Sequence, residues 1–135
     1  MNNIMYAKIM KHDAYIPFNQ SILPKELSLD EILSYFKFLS PTILILHGSH
    51  ISKKRYSPSG KPDLDIICVS KKATFWPSTE LYEKFYKNIK NLQIKIDLSL
   101  LTYTQFLSVF QGDTSLSISL NNGFTILYME DINEQ

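Results

Sequence analysis

Apolar and polar residues alternate with two periods along the chain, and each period predicts a kind of element. Three stretches carry apolar side chains every three or four residues, which indicates amphipathic helices. Two of them open with capping-box spacing, at Ser28–Glu31 and Thr102–Gln105, where the side chains satisfy the first free amides. These patterns predict helices at about 28–40, 77–89 and 102–110.

Strands are predicted between and after these helices. Ile43–Leu46 and Leu64–Val69 are short apolar runs typical of buried strands. Residues 94–100 alternate strictly, with Lys95, Asp97 and Ser99 on the polar face. A last strand is predicted at 124–128, a short helix after Gly48, and either a strand or a helix at 115–120.

The order of these elements predicts one α/β domain over residues 1–135, a small mixed β-sheet flanked by helices with one face open. The expected core covers about 28–130. Residues 1–25 show no clear period and contain Pro17 and Pro24, so we expect an irregular or short-strand extension there.

Charge and cysteine content narrow the classes of protein. Fourteen basic and thirteen acidic residues leave a net charge of +1, which argues against a strongly basic nucleic-acid binder but leaves nucleic acid open as a partner. Cys68 is the single cysteine and lies in an apolar run, so we expect a buried, inert thiol. No apolar stretch approaches the roughly 20 residues that span a bilayer, and the start lacks the features of a secretory signal. We therefore expect a cytoplasmic protein without a membrane partner.

Three aspartates are the strongest candidates for chemistry. Asp63 and Asp65 stand two residues apart on a predicted strand, so their side chains project to the same side. Asp97 lies on the polar face of a later strand, and pairing of the two strands would bring three carboxylates together. Their mutual repulsion is relieved by a divalent cation, and Mg²⁺ favours carboxylate oxygens together with substrate phosphates.

A candidate phosphate loop precedes the aspartates. Gly48 allows close approach of the backbone to a ligand, and Ser49 opens a predicted short helix whose amides and hydroxyl suit phosphate oxygens. Lys53 and Lys54 follow within one or two turns and add positive charge. A phosphate cradle beside metal-binding carboxylates is the equipment for nucleotidyl or phosphoryl transfer.

This arrangement resembles the DNA polymerase beta superfamily of nucleotidyltransferases, and most closely its minimal members. The resemblance rests on Gly48-Ser49 after a strand, Asp63-Leu64-Asp65 at the start of the next strand, and Asp97 on a later one. It implies that Gly48 and Ser49, with Lys53 and Lys54, bind the phosphates of a nucleoside triphosphate. It also implies that the three aspartates are catalytic and hold two Mg²⁺ ions, with Asp97 helping to deprotonate an acceptor hydroxyl.

The resemblance therefore implies transfer of a nucleoside monophosphate, with ATP the expected donor, to a hydroxyl of a protein, nucleic acid or small molecule, with release of pyrophosphate. The alternative is a non-catalytic binding module or an antitoxin-type partner of a helical protein. A haloacid dehalogenase would place Asp-x-Asp after its strand, whereas here the apolar strand follows the acids, so this class is disfavoured. A glycosyltransferase would leave Gly48-Ser49 and Asp97 unexplained. His47 and His50 fit nucleotide contact or structural roles, and for Trp76 a packing role is favoured over base stacking.

Overall fold

The structure is a computed structural model that describes residues 3–52, 63–76 and 78–130. Its described part contains one four-stranded mixed sheet of order β3-β2-β1-β4. The strands are β1 (Pro41–His47), β2 (Asp63–Ser70), β3 (Lys95–Leu101) and β4 (Phe124–Met129). β1 runs antiparallel to β2 and β4, whereas β2 and β3 are parallel.

Helices cover both faces of this sheet. The described helices are α1 (Asn3–Met10), α2 (Leu29–Phe36), α3 (Ser49–Ser52), α4 (Thr79–Asn88), α5 (Tyr103–Gln111) and α6 (Ser115–Asn121), with 3₁₀ turns at Gln20–Ile22 and Lys37–Leu39. α2 and α4 pack on one face, and α1, α5 and α6 pack on the other. The predicted small mixed α/β sheet flanked by helices is confirmed.

Both predicted capping boxes form and begin their helices where expected. The Ser28 hydroxyl accepts from the Glu31 amide at 3.1 Å, and the Thr102 hydroxyl accepts from the Gln105 amide at the same distance. The Glu31 and Gln105 side chains in turn accept hydrogen bonds from the amides of Ser28 and Thr102. Because these contacts are local in sequence, they could be predicted without knowledge of the fold.

The segment 115–120, which fitted a strand or a helix, forms α6. The Thr114 hydroxyl accepts from the Ser117 amide, which is a helix cap. The helical turn buries Leu120 and leaves Ile118 58% exposed, whereas a strand would place both side chains on the same face.

The expectation of an irregular or short-strand extension at 1–25 is wrong for its first part, which forms α1. Ile9 of this helix is fully buried, in one cluster with Phe106 and Phe124. Its cover therefore comes from residues about 100 positions later, and this tertiary contact is absent from the local pattern. A single parallel bridge from Tyr15 to Phe124 then ties the segment to the start of β4.

Two further expectations concerned the burial of Cys68 and the open face of the sheet, and they have different outcomes. Cys68 is buried as expected, and burial raises the pKa of its thiol to about 12, which disfavours the reactive thiolate. The open face expected beside the aspartates is only half open, because α5 and α6 cover its other half. None of the helices in the described ranges is both long and apolar enough to cross a membrane.

Candidate functional site

Backbone register brings the predicted aspartates together. Asp65 on β2 pairs with Asp97 on β3, and Asp63 pairs with Lys95 two residues earlier on each strand. Register partners on neighbouring strands point to the same face of a sheet, so all four side chains lie on one face. The sequence placed three carboxylates there, and the structure adds a lysine.

Asp63, Asp65 and Asp97, called the acidic group below, lie on the part of their sheet face that the described helices leave uncovered. Asp63 and Asp65 are half-buried, and Asp97 and Lys95 are exposed. Further along the same face of β2, Ile67 and Val69 are buried under α5 and α6. The carboxylates are therefore accessible to a solute while the strand that carries them is anchored in the core.

Burial and the neighbouring carboxylates together change the ionisation of Asp65. Partial burial, followed by the charge and hydrogen bond of Asp97 and then the charge of Asp63, raises the pKa of Asp65 to about 6. Lys95 opposes this shift, and its Nζ lies 3.7 Å from Asp97 Oδ1. The pKa of Asp65 stays raised despite Lys95, so further positive charge would be favourable here.

Gly48 packs directly against the Asp65 carboxyl group. Its φ is +89°, in the left-handed region that favours glycine. A methyl group at this position would overlap Asp65 Oδ2 and stand 3.0 Å from Cγ. Glycine is thus required by the close approach of the turn after β1 to the acidic group, and Ser49 follows as the first residue of α3.

Two lysines of the predicted phosphate loop, Lys53 and Lys54, lie outside the described residues. The described part of this loop is Gly48 and the four-residue helix α3. The predicted phosphate contacts of Gly48, Ser49 and the lysines therefore stay predictions. What the structure adds is the location of Gly48 beside Asp65.

The two histidines that flank Gly48 have structural partners. His47 is 4% exposed, and its Nδ1 lies 2.7 Å from Ser119 Oγ on α6; burial lowers its pKa to about 4. His50 Nε2 lies 2.6 Å from the Ile22 carbonyl oxygen. His47 therefore joins β1 to α6, and His50 joins α3 to the N-terminal segment.

The exposure of Trp76 contradicts the packing role that the sequence favoured for this residue. It is 76% exposed, and its ring packs edge-on against Phe75, which is 69% exposed. Both follow the end of β2 opposite to Asp63, and the Phe75 carbonyl oxygen accepts from Gln105 Nε2 on α5, which follows the corresponding end of β3. Trp76 therefore follows the end of the sheet opposite to the aspartates.

The donor set fits a magnesium ion only in part. Carboxylate oxygens are the ligands that Mg²⁺ prefers, and Asp65 and Asp97 already meet. Among residues 3–52, 63–76 and 78–130, however, no three His, Cys, Asp or Glu side chains are arranged to hold a metal ion. Mg²⁺ usually takes one or two carboxylates and completes its shell with phosphate and water, so two carboxylates that meet fit this mode of binding.

Lys95 is the site residue that sequence reasoning missed. The available signal was its place two residues before Asp97 on the same polar face of a strand.

Comparison of the chain with protein-family models and with curated proteins gives no match.

Proposed function

We propose that this protein is a Mg²⁺-dependent nucleotidyltransferase that moves a nucleoside monophosphate from a nucleoside triphosphate, with ATP the expected donor, to an acceptor hydroxyl. The observation that carries the proposal is the register of Asp65 with Asp97, with Asp63 on the same face. The resemblance to the polymerase beta superfamily supports it, because the glycine turn, the paired aspartates and the later aspartate fall on successive strands of one sheet. A triphosphate donor also favours the cytoplasm as the place of action.

The electrostatics of the site suit a bound cation and phosphates. The raised pKa of Asp65 means that ionising this half-buried carboxyl group beside Asp97 and Asp63 costs free energy until a cation reaches it. Asp65 and Asp97, with Asp63 on the same face, would hold Mg²⁺, which on binding supplies charge neutralisation for the phosphates. The turn at Gly48 would receive the β- and γ-phosphates, since no side chain separates its backbone from Asp65.

Within this arrangement the chain's own residues orient the donor and receive a proton. Asp97 is exposed and lies at the outer side of the pair, so its carboxylate is within reach of an incoming hydroxyl. We expect it to accept the proton of that hydroxyl as the oxygen attacks the α-phosphorus and pyrophosphate departs.

Substitution of Asp97 tests the catalytic role. Asp97→Asn keeps the shape of the side chain but removes its basicity, and we expect pyrophosphate release from ATP to fall by about 10²–10⁴-fold. Asp113→Asn, an exposed site before α6, is the matched control and should leave the rate unchanged. Release of pyrophosphate would be followed with Mg²⁺ and a panel of peptide, RNA and small-molecule hydroxyl acceptors. Equal rates for wild type and Asp97→Asn would refute the proposal.

A non-catalytic binding module is the second candidate. It is favoured by one observation: in the described ranges the acidic side chains do not form a ready three-ligand metal group. Both candidates predict binding of Mg²⁺ and a non-hydrolysable ATP analogue that Asp65→Asn weakens, which calorimetry measures, so pyrophosphate release is the measurement that separates them. Binding without pyrophosphate release for any acceptor in the panel would favour the module.

A further inference from the structure

A groove of about 420 Å³ lies along the outer edge of β3, the edge strand of the described sheet, beside Asp97. It separates this edge from the end of α4 and the turn that follows. Its lining includes Tyr86, Lys90, Leu92, Ile94, Lys95 and Asp97. The groove therefore begins at the outermost carboxylate of the candidate site and leads away from it.

The edge of β3 is closed along most of its length by tyrosine hydroxyls from α4. The Leu98 amide donates to Tyr86 Oη at 3.0 Å, and the Leu100 amide donates to Tyr82 Oη at 2.8 Å. Because alternate amides of an edge strand point outward, the Ile96 amide also faces away from β2. Within the described residues it has no tyrosine partner of this kind, and the groove lies against it. One short section of the edge is thus left for an external main chain.

The order of strands puts the groove on the correct side for an attacking group. Gly48 approaches Asp65 from the β1 side, whereas the groove approaches Asp97 from the outer side of β3. In phosphoryl transfer the attacking and leaving oxygens lie roughly in line, on opposite sides of the phosphorus. A triphosphate held at Gly48 directs pyrophosphate toward β1, so the hydroxyl must arrive from the β3 side.

The charges and apolar side chains of the groove narrow the acceptor further. Lys90 is exposed at the rim and favours an acidic side chain beside it, whereas the Lys95 ammonium group already faces Asp97 at 3.7 Å. Leu92 and Ile94 form an apolar floor next to the uncovered main-chain groups. An extended peptide that adds to a strand edge uses main-chain hydrogen bonds for affinity and side-chain contacts for selectivity.

We propose that the groove is the acceptor site and that it binds a short, extended, acidic polypeptide segment whose Ser, Thr or Tyr hydroxyl reaches Asp97. This inference rests on the proposed function and names the acceptor class for the same site. The segment's main chain pairs at Ile96, and an acidic side chain lies toward Lys90. Tyr86, which closes the edge at Leu98, limits the paired section to a few residues.

The step is a substitution at the α-phosphorus of the donor. A bond forms between the acceptor oxygen and the α-phosphorus, and the bond between that phosphorus and the bridging oxygen to the β-phosphate breaks. The bridging oxygen keeps the electron pair and leaves as part of pyrophosphate. The hydroxyl proton passes to the Asp97 carboxylate and then to solvent.

The test uses the full chain, Mg²⁺, ATP labelled at the α-phosphate and synthetic pentapeptides. The probes carry a central serine or tyrosine flanked on each side by two glutamates, and matched peptides carry lysines instead. We expect label on the acidic peptides and little on the lysine peptides. Lys90→Glu should raise the KM for the acidic peptide about five- to tenfold, since an exposed attraction becomes a repulsion, and leave the KM for ATP unchanged.

Lys87→Glu is the matched control, because Lys87 is an exposed lysine near the end of α4 and outside the groove lining. An equal rise in KM for both variants would overturn the assignment to the groove. Label on an RNA oligonucleotide or a small hydroxyl compound in place of every peptide would overturn the acceptor class and leave the transferase proposal standing. Absence of Mg²⁺-dependent ATP binding by calorimetry would overturn both.

Discussion

The two faces of β2 differ although the same eight residues form both. On the α2 and α4 side, Leu64, Ile66 and Cys68 form an unbroken apolar row that is fully buried. On the α5 and α6 side, the strand begins with two acidic residues and becomes apolar only at Ile67. One face is therefore core along its whole length, and the other is core for half of it.

This difference shows how a small domain combines a stable framework with a strained polar site. The continuous face anchors the strand, so the acidic end of the other face can hold carboxylates together despite their repulsion. Burial of Ile67 and Val69 just beyond the acids limits the movement of the same strand. The candidate site thus lies at the point where the helical cover stops.

The largest expected effect tests whether both faces are core at the middle of β2. Ile66 and Ile67 are neighbours, both fully buried, and they point into different clusters. Replacement of either by alanine should lower the free energy of unfolding by about 2–5 kcal/mol, measured by urea denaturation. A loss under about 1 kcal/mol for Ile67→Ala alone would break the comparison, because it would mean that α5 and α6 do not pack there.

A smaller effect is expected where the turn after β1 contacts the acidic end. Gly48→Ala should cost about 1–3 kcal/mol, since alanine is strained at positive φ and its methyl group overlaps Asp65. Gly123→Ala is the matched control: its φ is also positive, but the added carbon meets only Ile16 Cδ1 at 3.4 Å. Denaturation of the two variants, and of Gly48→Ala combined with Asp65→Ala, separates strain from overlap. No rescue in the double variant would contradict the close approach of Gly48 to Asp65.

The smallest expected effect is a pH dependence confined to the acidic end. The folded protein holds the Asp65 proton more tightly than the unfolded chain, because the pKa of this carboxyl group is raised from 3.8 to about 6. Its contribution to stability is therefore fully present below about pH 4 and is lost as the pH rises through about 6. The full shift corresponds to about 3 kcal/mol, and solvent screening at this half-exposed group reduces the expected loss to about 1 kcal/mol.

Asp65→Asn cannot ionise and supplies the comparison for that loss. The variant should match wild type in stability near pH 4 and exceed it by about 1 kcal/mol near pH 7, in thermal or urea unfolding without divalent cations. Asp113→Asn should follow wild type at both pH values. If wild type and Asp65→Asn keep a constant difference from pH 4 to 7, Asp65 does not carry the strain.

Much of the fold could be predicted because its signals are local. The capping boxes at Ser28 and Thr102 begin their helices as expected, and alternation in 94–100 assigns the correct residues of β3 to the core. Spacing alone placed Asp63 and Asp65 on one side of β2. The pairing of Asp65 with Asp97 was conditional on strand neighbours, and the sequence provided no measure of which strands pair or in which register.

What the sequence by itself determined was the identity of the candidate residues and the element that carries each one. Only the tertiary structure decided that α1 packs on the core, that Trp76 stays exposed, that Gly48 contacts Asp65 and that Lys95 joins the acids. The physical reason is the range of the interactions. Caps and periodicity act within one or two turns of chain, whereas register, helical cover and charge repulsion join residues that lie far apart in sequence.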